Sequence, residues 1–310
     1  MDGIFAFVAG LANTLAGASV GALAVAIAIH LGKVAAEARA WHGIVGHAYP
    51  SAAIRFGTTY GAFAGAIGVN AVLPARVGEA LRLGIVRRNV PDSTVAAVAG
   101  TIVLETAIEA AFGLVIVGLV ALAGQSIGPI GSPYALGALH PIALGALGIA
   151  LVLGATIAWI TRRRLARTVA SMAHGMAVTR APGQLVRRVL VWKIVAWVLR
   201  FAAVYAFLLA FHIGGGLWVV LLVVAAQNVA GLLPLAPGSA GTQQAALVVA
   251  LSGTAAANGA LGLGVGMQMA TGLSDVIVGI VAIALVSSWS DLRDALRRRP
   301  RVASAVNDLR

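Results

Sequence analysis

Residues 70–82 read Asn-Ala-Val-Leu-Pro-Ala-Arg-Val-Gly-Glu-Ala-Leu-Arg, and the fold turns on how the chain passes through them. The surrounding stretch, 56–82, is apolar enough to enter a bilayer, but Pro74 and Gly78 interrupt it. Proline and glycine end helices. Both flanks are basic: 32–55 carries Lys33, Arg39 and Arg55, and 83–93 carries Arg87 and Arg88. Lysine and arginine accumulate in cytoplasmic loops, so the chain must enter and leave 56–82 from the same side. The stretch is therefore a hairpin, either a re-entrant pair of short helices or two closely paired spans. Non-helical backbone at membrane depth persists only against protein or a wet cavity.

The rest of the chain follows from the same two signals. Segments 4–31, 94–123, 141–161, 190–212 and 259–288 each supply the ~20 mostly apolar residues that a span needs. Arginines crowd 162–189 and the stretch after Trp289, while 124–140, 213–217 and 252–258 contain no lysine or arginine. The charge-poor segments belong outside. The apolar stretch 218–251, interrupted by Pro234, Pro237-Gly238 and Gly241, then enters and leaves from the outer face. Two hairpins from opposite faces, each followed by a full span, form an inverted repeat of the kind found in transporters. The predicted fold is an all-α polytopic membrane protein of about five full spans plus two oppositely oriented re-entrant helical hairpins. One transmembrane domain covers 1–290, and 291–310 is a short basic cytoplasmic tail. The N-terminus lies outside and the C-terminus inside. Residues 162–189 are expected to form a basic amphipathic helix on the inner surface, broken near Pro182-Gly183.

Composition agrees with a bilayer environment. Of 310 residues, 60% are hydrophobic and 10% charged, with a mean hydropathy of +0.96. Soluble domains run near ~45–50% apolar and ~25% charged. The net charge of +12 follows from positive-inside loops, and the basic residues lack the interleaved stacking aromatics of a nucleic-acid surface. No nucleic-acid partner is expected. With no cysteines and no HExxH pair among six histidines, no metal or other cofactor is expected.

Charge inside a bilayer is expensive and is paired or functional. The candidates are Arg76, Glu79 and Arg82 on the return arm of the first hairpin, Glu105 and Glu109 in the next span, Arg200 in 190–212 and Asp275 in the last span. Glu105 and Glu109, four apart, share a helical face. Arg200 should face Glu105, Glu109 or Asp275, and an Arg200–Asp275 ion pair is one arrangement. Arg76 and Arg82 lie where a helix begins inside the membrane; free N–H groups and guanidiniums there suit a phosphate. Asn70, Pro74 and Gly78, in the same stretch, are assigned with Arg76, Glu79, Arg82, Glu105 and Glu109 to substrate binding. Ser239, Thr242, Gln243 and Gln244, with Pro237, Gly238 and Gly241, form an uncharged, backbone-rich polar floor from the second hairpin. No nucleophile–base arrangement, P-loop or dinucleotide fingerprint is present, so no catalytic residue is assigned and the chain is not expected to be an enzyme.

The stretch Asn70-x-x-Leu73-Pro74-x-Arg76-x-Gly78-Glu79-x-x-Arg82 resembles the membrane region of the lysylphosphatidylglycerol synthase family, the flippase-like integral membrane proteins. That family shows a later P-G-G-x-G-x-x-E stretch, where this chain reads Pro237-Gly238-Ser239-Ala240-Gly241-Thr242-Gln243-Gln244; Ser239 replaces a glycine and Gln244 the glutamate. The resemblance implies lipid translocation in a bacterial-type plasma membrane, without the soluble aminoacyl-transferase domain. A membrane phospholipid or lipid-linked substrate is the expected partner. The alternative is a non-transporting membrane subunit that holds a lipid-modifying or glycosylating enzyme.

Overall fold

A computed structural model describes residues 16–73, 76–90, 93–123, 171–231 and 241–286. The predicted span 141–161, the start of the first span, the tail 291–310 and site candidates Pro74, Pro237, Gly238 and Ser239 lie outside the described residues. All regular structure within them is helical.

Helix α1, Val20–Ala48, starts at Ser19, whose Oγ accepts the Ala22 N–H. No proline follows until Pro50, and the helix runs on through residues assigned above to a cytoplasmic loop. The reason is that the charges there are satisfied inside the protein. Lys33 pairs with Glu37 one turn on at 3.3 Å, and the Arg39 guanidinium lies against the rings of Phe56 and Trp192. Helices α2, Phe56–Val72, and α3, Gly78–Asn89, flank the break at 73–77. Helix α4, Val95–Leu122, is capped by Thr94, whose Oγ1 accepts the Ala97 N–H.

Pro182 opens α5, Pro182–Ala210, which passes through a single π-helical turn at Val186–Leu190. Residues 182–189 are thus the first turns of the long helix and not part of a separate surface helix. The preceding chain is packed as well: Val178 is fully buried, and Gly175 lies against the Ala97 carbonyl of α4. Helices α6, Leu217–Gly231, and α7, Thr242–Ala250, lead into α8, Ala257–Val286. Among the described residues α1, α4, α5 and α8 are long and apolar enough to cross a membrane.

Helix α1 packs along α5, and α2 packs along α8. The second pair is close because Gly68 and Gly279 face each other. A Cβ on Gly68 would lie 2.8 Å from the Asp275 carbonyl oxygen and 3.3 Å from the Gly279 Cα. The apolar side chains form two cores. One gathers Trp41, Ile44, Val86, Val90, Val98, Val178 and Val189, so the end of α1, the end of α3 and the starts of α4 and α5 share one end of the bundle. The other gathers Ala26, Val120, Phe207, Val219, Leu251 and Leu263, from the opposite ends of the long helices. Both outer ends of α6–α7 sit with this second core, and both outer ends of α2–α3 with the first.

Candidate functional site

Between the two cores lies a layer of charge. On α4, Glu105 and Glu109 fall between Val98 and Val120; on α5, Lys193 and Arg200 fall between Val189 and Val204. Glu105, Glu109 and Arg200 of this layer line a cavity of about 520 Å³ whose wall includes residues from α1 to α8, and Lys193 lies buried behind it. The inner ends of both helical pairs reach it: Asn70, Arg76 and Glu79 from the first, Gln227 and Gln243 from the second.

The charges form one alternating chain. The Arg82 Nη1 donates to Glu79 at 3.3 Å and to Glu105 at 3.4 Å. Lys193 donates to Glu105 and, at 2.9 Å, to Glu109. Arg200 donates to Glu109 at 3.3 Å and to Gln227 at 3.5 Å. Three cations and three carboxylates cancel. Helix geometry produces this register: Glu105 and Glu109 are one turn apart, Lys193 and Arg200 two turns apart, and Glu105 and Glu109 each bridge two cations.

Arg82 is built into the wall. It is 3% exposed, its guanidinium carbon lies 3.8 Å from the Trp41 ring centroid and 4.6 Å from that of Phe63, and the Trp41 indole is fixed by donating to Thr101 Oγ1. Such contacts replace hydration for a guanidinium. Arg76 differs in burial, pairing and backbone. It is exposed, lines the cavity, has no carboxylate partner among the described residues and holds a left-handed φ of 55°. That backbone conformation costs a non-glycine residue roughly 1–2 kcal/mol.

Asn70 and Gly78 close the turn. The Asn70 Oδ1 accepts the Gly78 N–H at 2.7 Å, and a Cβ on Gly78 would lie 2.1 Å from the Ala66 carbonyl oxygen. On the second arm, Gly241, at φ 83°, donates its N–H to the Gln244 Oε1, and Gln244 in turn meets Gln268. Gln243, not Gln244, lines the cavity.

Arg200 and Asp275 do not pair with each other. Arg200 goes to Glu109, and Asp275 accepts from His30 Nε2 at 2.9 Å, because α1 lies beside α8 and carries His30 to it. Sequence reasoning passed over Lys193, His30, Lys33, Glu37 and Gln227. Lys193 is fully buried and lies inside the segment 190–212 that the sequence assigns to a span. The seven-residue spacing to Arg200 was the available signal, since it puts both on one helical face. Among the described residues no group of three or more His, Asp or Glu is placed to hold a metal.

A hydrophilic, self-neutralised chamber inside an apolar bundle can take a polar group out of water without opening a path for its hydrocarbon. A family model described as the Lysylphosphatidylglycerol synthase TM region matches residues 3–279. No curated protein and no solved structure matches the chain.

Proposed function

The chain belongs to the lysylphosphatidylglycerol synthase transmembrane-region family, a multi-pass membrane protein of a lipid-handling kind, and on that premise we propose that it is a lipid translocase and not an enzyme. The headgroup of an anionic or lipid-linked amphiphile crosses through the cavity while its acyl chains stay in the bilayer. The observation that carries this reading is the contrast between the committed ladder and the free Arg76. Six charged side chains neutralise one another, so the wall is polar but attracts no ion strongly. Arg76, at the broken end of α2–α3, has no carboxylate partner among the described residues, and a phosphate is the group a guanidinium holds best.

In this reading α2–α3 and α6–α7 are re-entrant hairpins of opposite orientation, an inverted repeat whose inner turns open alternately to either leaflet. The basic end of the bundle faces the cytoplasm of a bacterial-type cell. Support comes from the packing, in which the two pairs have their outer ends at opposite ends of the bundle and their inner ends at one cavity.

Reconstituted vesicles carrying a fluorescent phosphatidylglycerol, quenched from outside by dithionite, test the proposal. The parent protein should make the inner-leaflet label accessible, and Arg76→Ala should slow this by about 10-fold or more, the worth of a charged hydrogen bond of ~1.5–3 kcal/mol. Arg82→Ala should act differently, by destabilising the protein. Vesicles with parent protein that quench no faster than protein-free vesicles would reject translocation.

A further inference from the structure

Two charged pairs in the cavity stand outside the ladder, Lys33 with Glu37 and His30 with Asp275, and only the second relies on a histidine. His30 on α1 and Asp275 on α8 meet at 2.9 Å, with side chains 13% and 12% exposed, and both line the cavity. Every other carboxylate there has a permanent cation: Glu37 has Lys33, Glu79 has Arg82, Glu105 has Arg82 and Lys193, and Glu109 has Lys193 and Arg200. Asp275 has only a histidine among the described residues. Its charge is compensated when the imidazole carries a proton and left uncompensated when it does not. Histidine is the side chain whose ordinary titration falls between about pH 5 and 8, and its pair with a carboxylate titrates as a unit.

The pair also sits at a seam. Helices α1 and α5 pack along their length, as do α2 and α8. Between these two bodies the contact is lighter: α1 meets α2 and α8 over shorter stretches, and α5 barely touches α8. Other charged or titratable groups face the pair from each neighbouring element. On α1 these are Lys33 and Glu37, paired with each other. On α2, Tyr60 lies within electrostatic reach of Asp275. Across the cavity, α5 contributes Arg200, held by Glu109, and the α2–α3 turn contributes Arg76 and Glu79. Histidine is the one residue type in this set whose ordinary titration spans neutral pH.

We propose that His30 and Asp275 form a proton-binding site that ties the α1–α5 pair to the α2–α8 pair when protonated and releases it when the proton leaves, coupling opening of the cavity to a proton gradient. The site deepens the translocase reading and rests on it, supplying the ion that drives the movement. The sign follows from the charges. A protonated imidazole attracts the Asp275 carboxylate as an opposite charge, an attraction that the neutral ring donating to the same carboxylate lacks, so acid closes the seam and alkali loosens it. A headgroup would enter from the side where the proton is lost.

The chain contains no cysteine, which permits a direct test on the full-length protein in lipid nanodiscs. Spin labels at Val25→Cys on α1 and Leu273→Cys on α8, both more than half exposed and neither lining the cavity, report the distance across the seam by pulsed electron resonance. Between pH 5.5 and pH 8 the parent distance should lengthen or broaden on the order of 2–5 Å, the scale of a helix shift. His30→Gln and Asp275→Asn should hold one distribution at both pH values. His30→Lys, which supplies a permanent cation, should hold the acid distribution throughout, a result that a merely structural histidine would not give. A parent distance indifferent to pH, or a His30→Gln protein that still responds as the parent does, overturns the proposal. Failure of the parent to move fluorescent lipid would instead reject the translocase reading, and these distances would still decide the proton site.

Discussion

Replacing Lys193 with methionine would leave Glu105 and Glu109, four residues apart on one helix face, without the ammonium between them. Lys193 is fully buried and touches both carboxylates. Removing one partner of a buried ion pair costs about 3–5 kcal/mol, because the survivors keep their desolvation penalty. Denaturant unfolding in mixed micelles should show a loss of that order, and Glu105→Gln added to Lys193→Met should recover part of it. A loss below about 1 kcal/mol would mean that water reaches the pair and that the ladder is not buried in the bilayer. Arg76 calls for the opposite test. Arg76→Gly relieves left-handed strain worth roughly 1–2 kcal/mol, against a glycine entropy cost of about 0.5–1 kcal/mol. The variant should be at least as stable as the parent while translocating lipid about 10-fold more slowly. Slow movement with intact stability is the signature of a binding residue. These residues were visible in the sequence to unequal degrees. Isolated charges within apolar runs identified Glu105, Glu109, Arg200 and Asp275, but nothing in the order of residues says that Arg82 is sealed under Trp41 while Arg76 stands free.

The α2–α3 turn shows what the broken element needs. A methyl group on Gly78 would lie 2.1 Å from the Ala66 carbonyl oxygen, so Gly78→Ala must push the two arms apart. Asn70→Ala would leave the Gly78 N–H without its acceptor, at a cost of about 1–3 kcal/mol. Both substitutions attack one contact, so the double variant should be little worse than Gly78→Ala alone, measured as thermal stability in micelles. A fully additive result would show that the two residues act independently. Asn70 and Gly78 therefore keep their motif positions by holding the turn shut. The break itself was legible, because Pro74 and Gly78 punctuate an apolar run. The extent of α1 was not. Lys33 and Arg39 resemble loop charges until a partner one turn away and two aromatic rings are known, and those rings come from distant segments. The start of α5 was hidden in the same way, since the arginines of 162–189 read as a separate surface helix.

At the scale of the whole molecule, the charge pattern and the packing make one geometric statement together. The end of α3, the start of α4 and the segment before α5 share a core, and the arginines at 87, 88, 180, 187 and 188 belong to that end. The starts of α6 and α8 and the end of α7 share the other core, where 213–217 and 252–258 carry no basic residue. In the proposed orientation the first end faces the cytoplasm, as positive-inside bias expects. Single cysteines can be introduced into this cysteine-free chain at Asn89, Thr179 and Ser252, all exposed. In intact cells a membrane-impermeant maleimide should modify Ser252→Cys and leave the other two untouched; in inside-out vesicles the pattern should reverse. Reaction of Asn89→Cys and Thr179→Cys from different sides would force an odd number of crossings between α3 and α5 different from the one assumed, and would turn one helical pair over. The cavity would then be reached from one leaflet only, and the alternation on which translocation depends would have no second door.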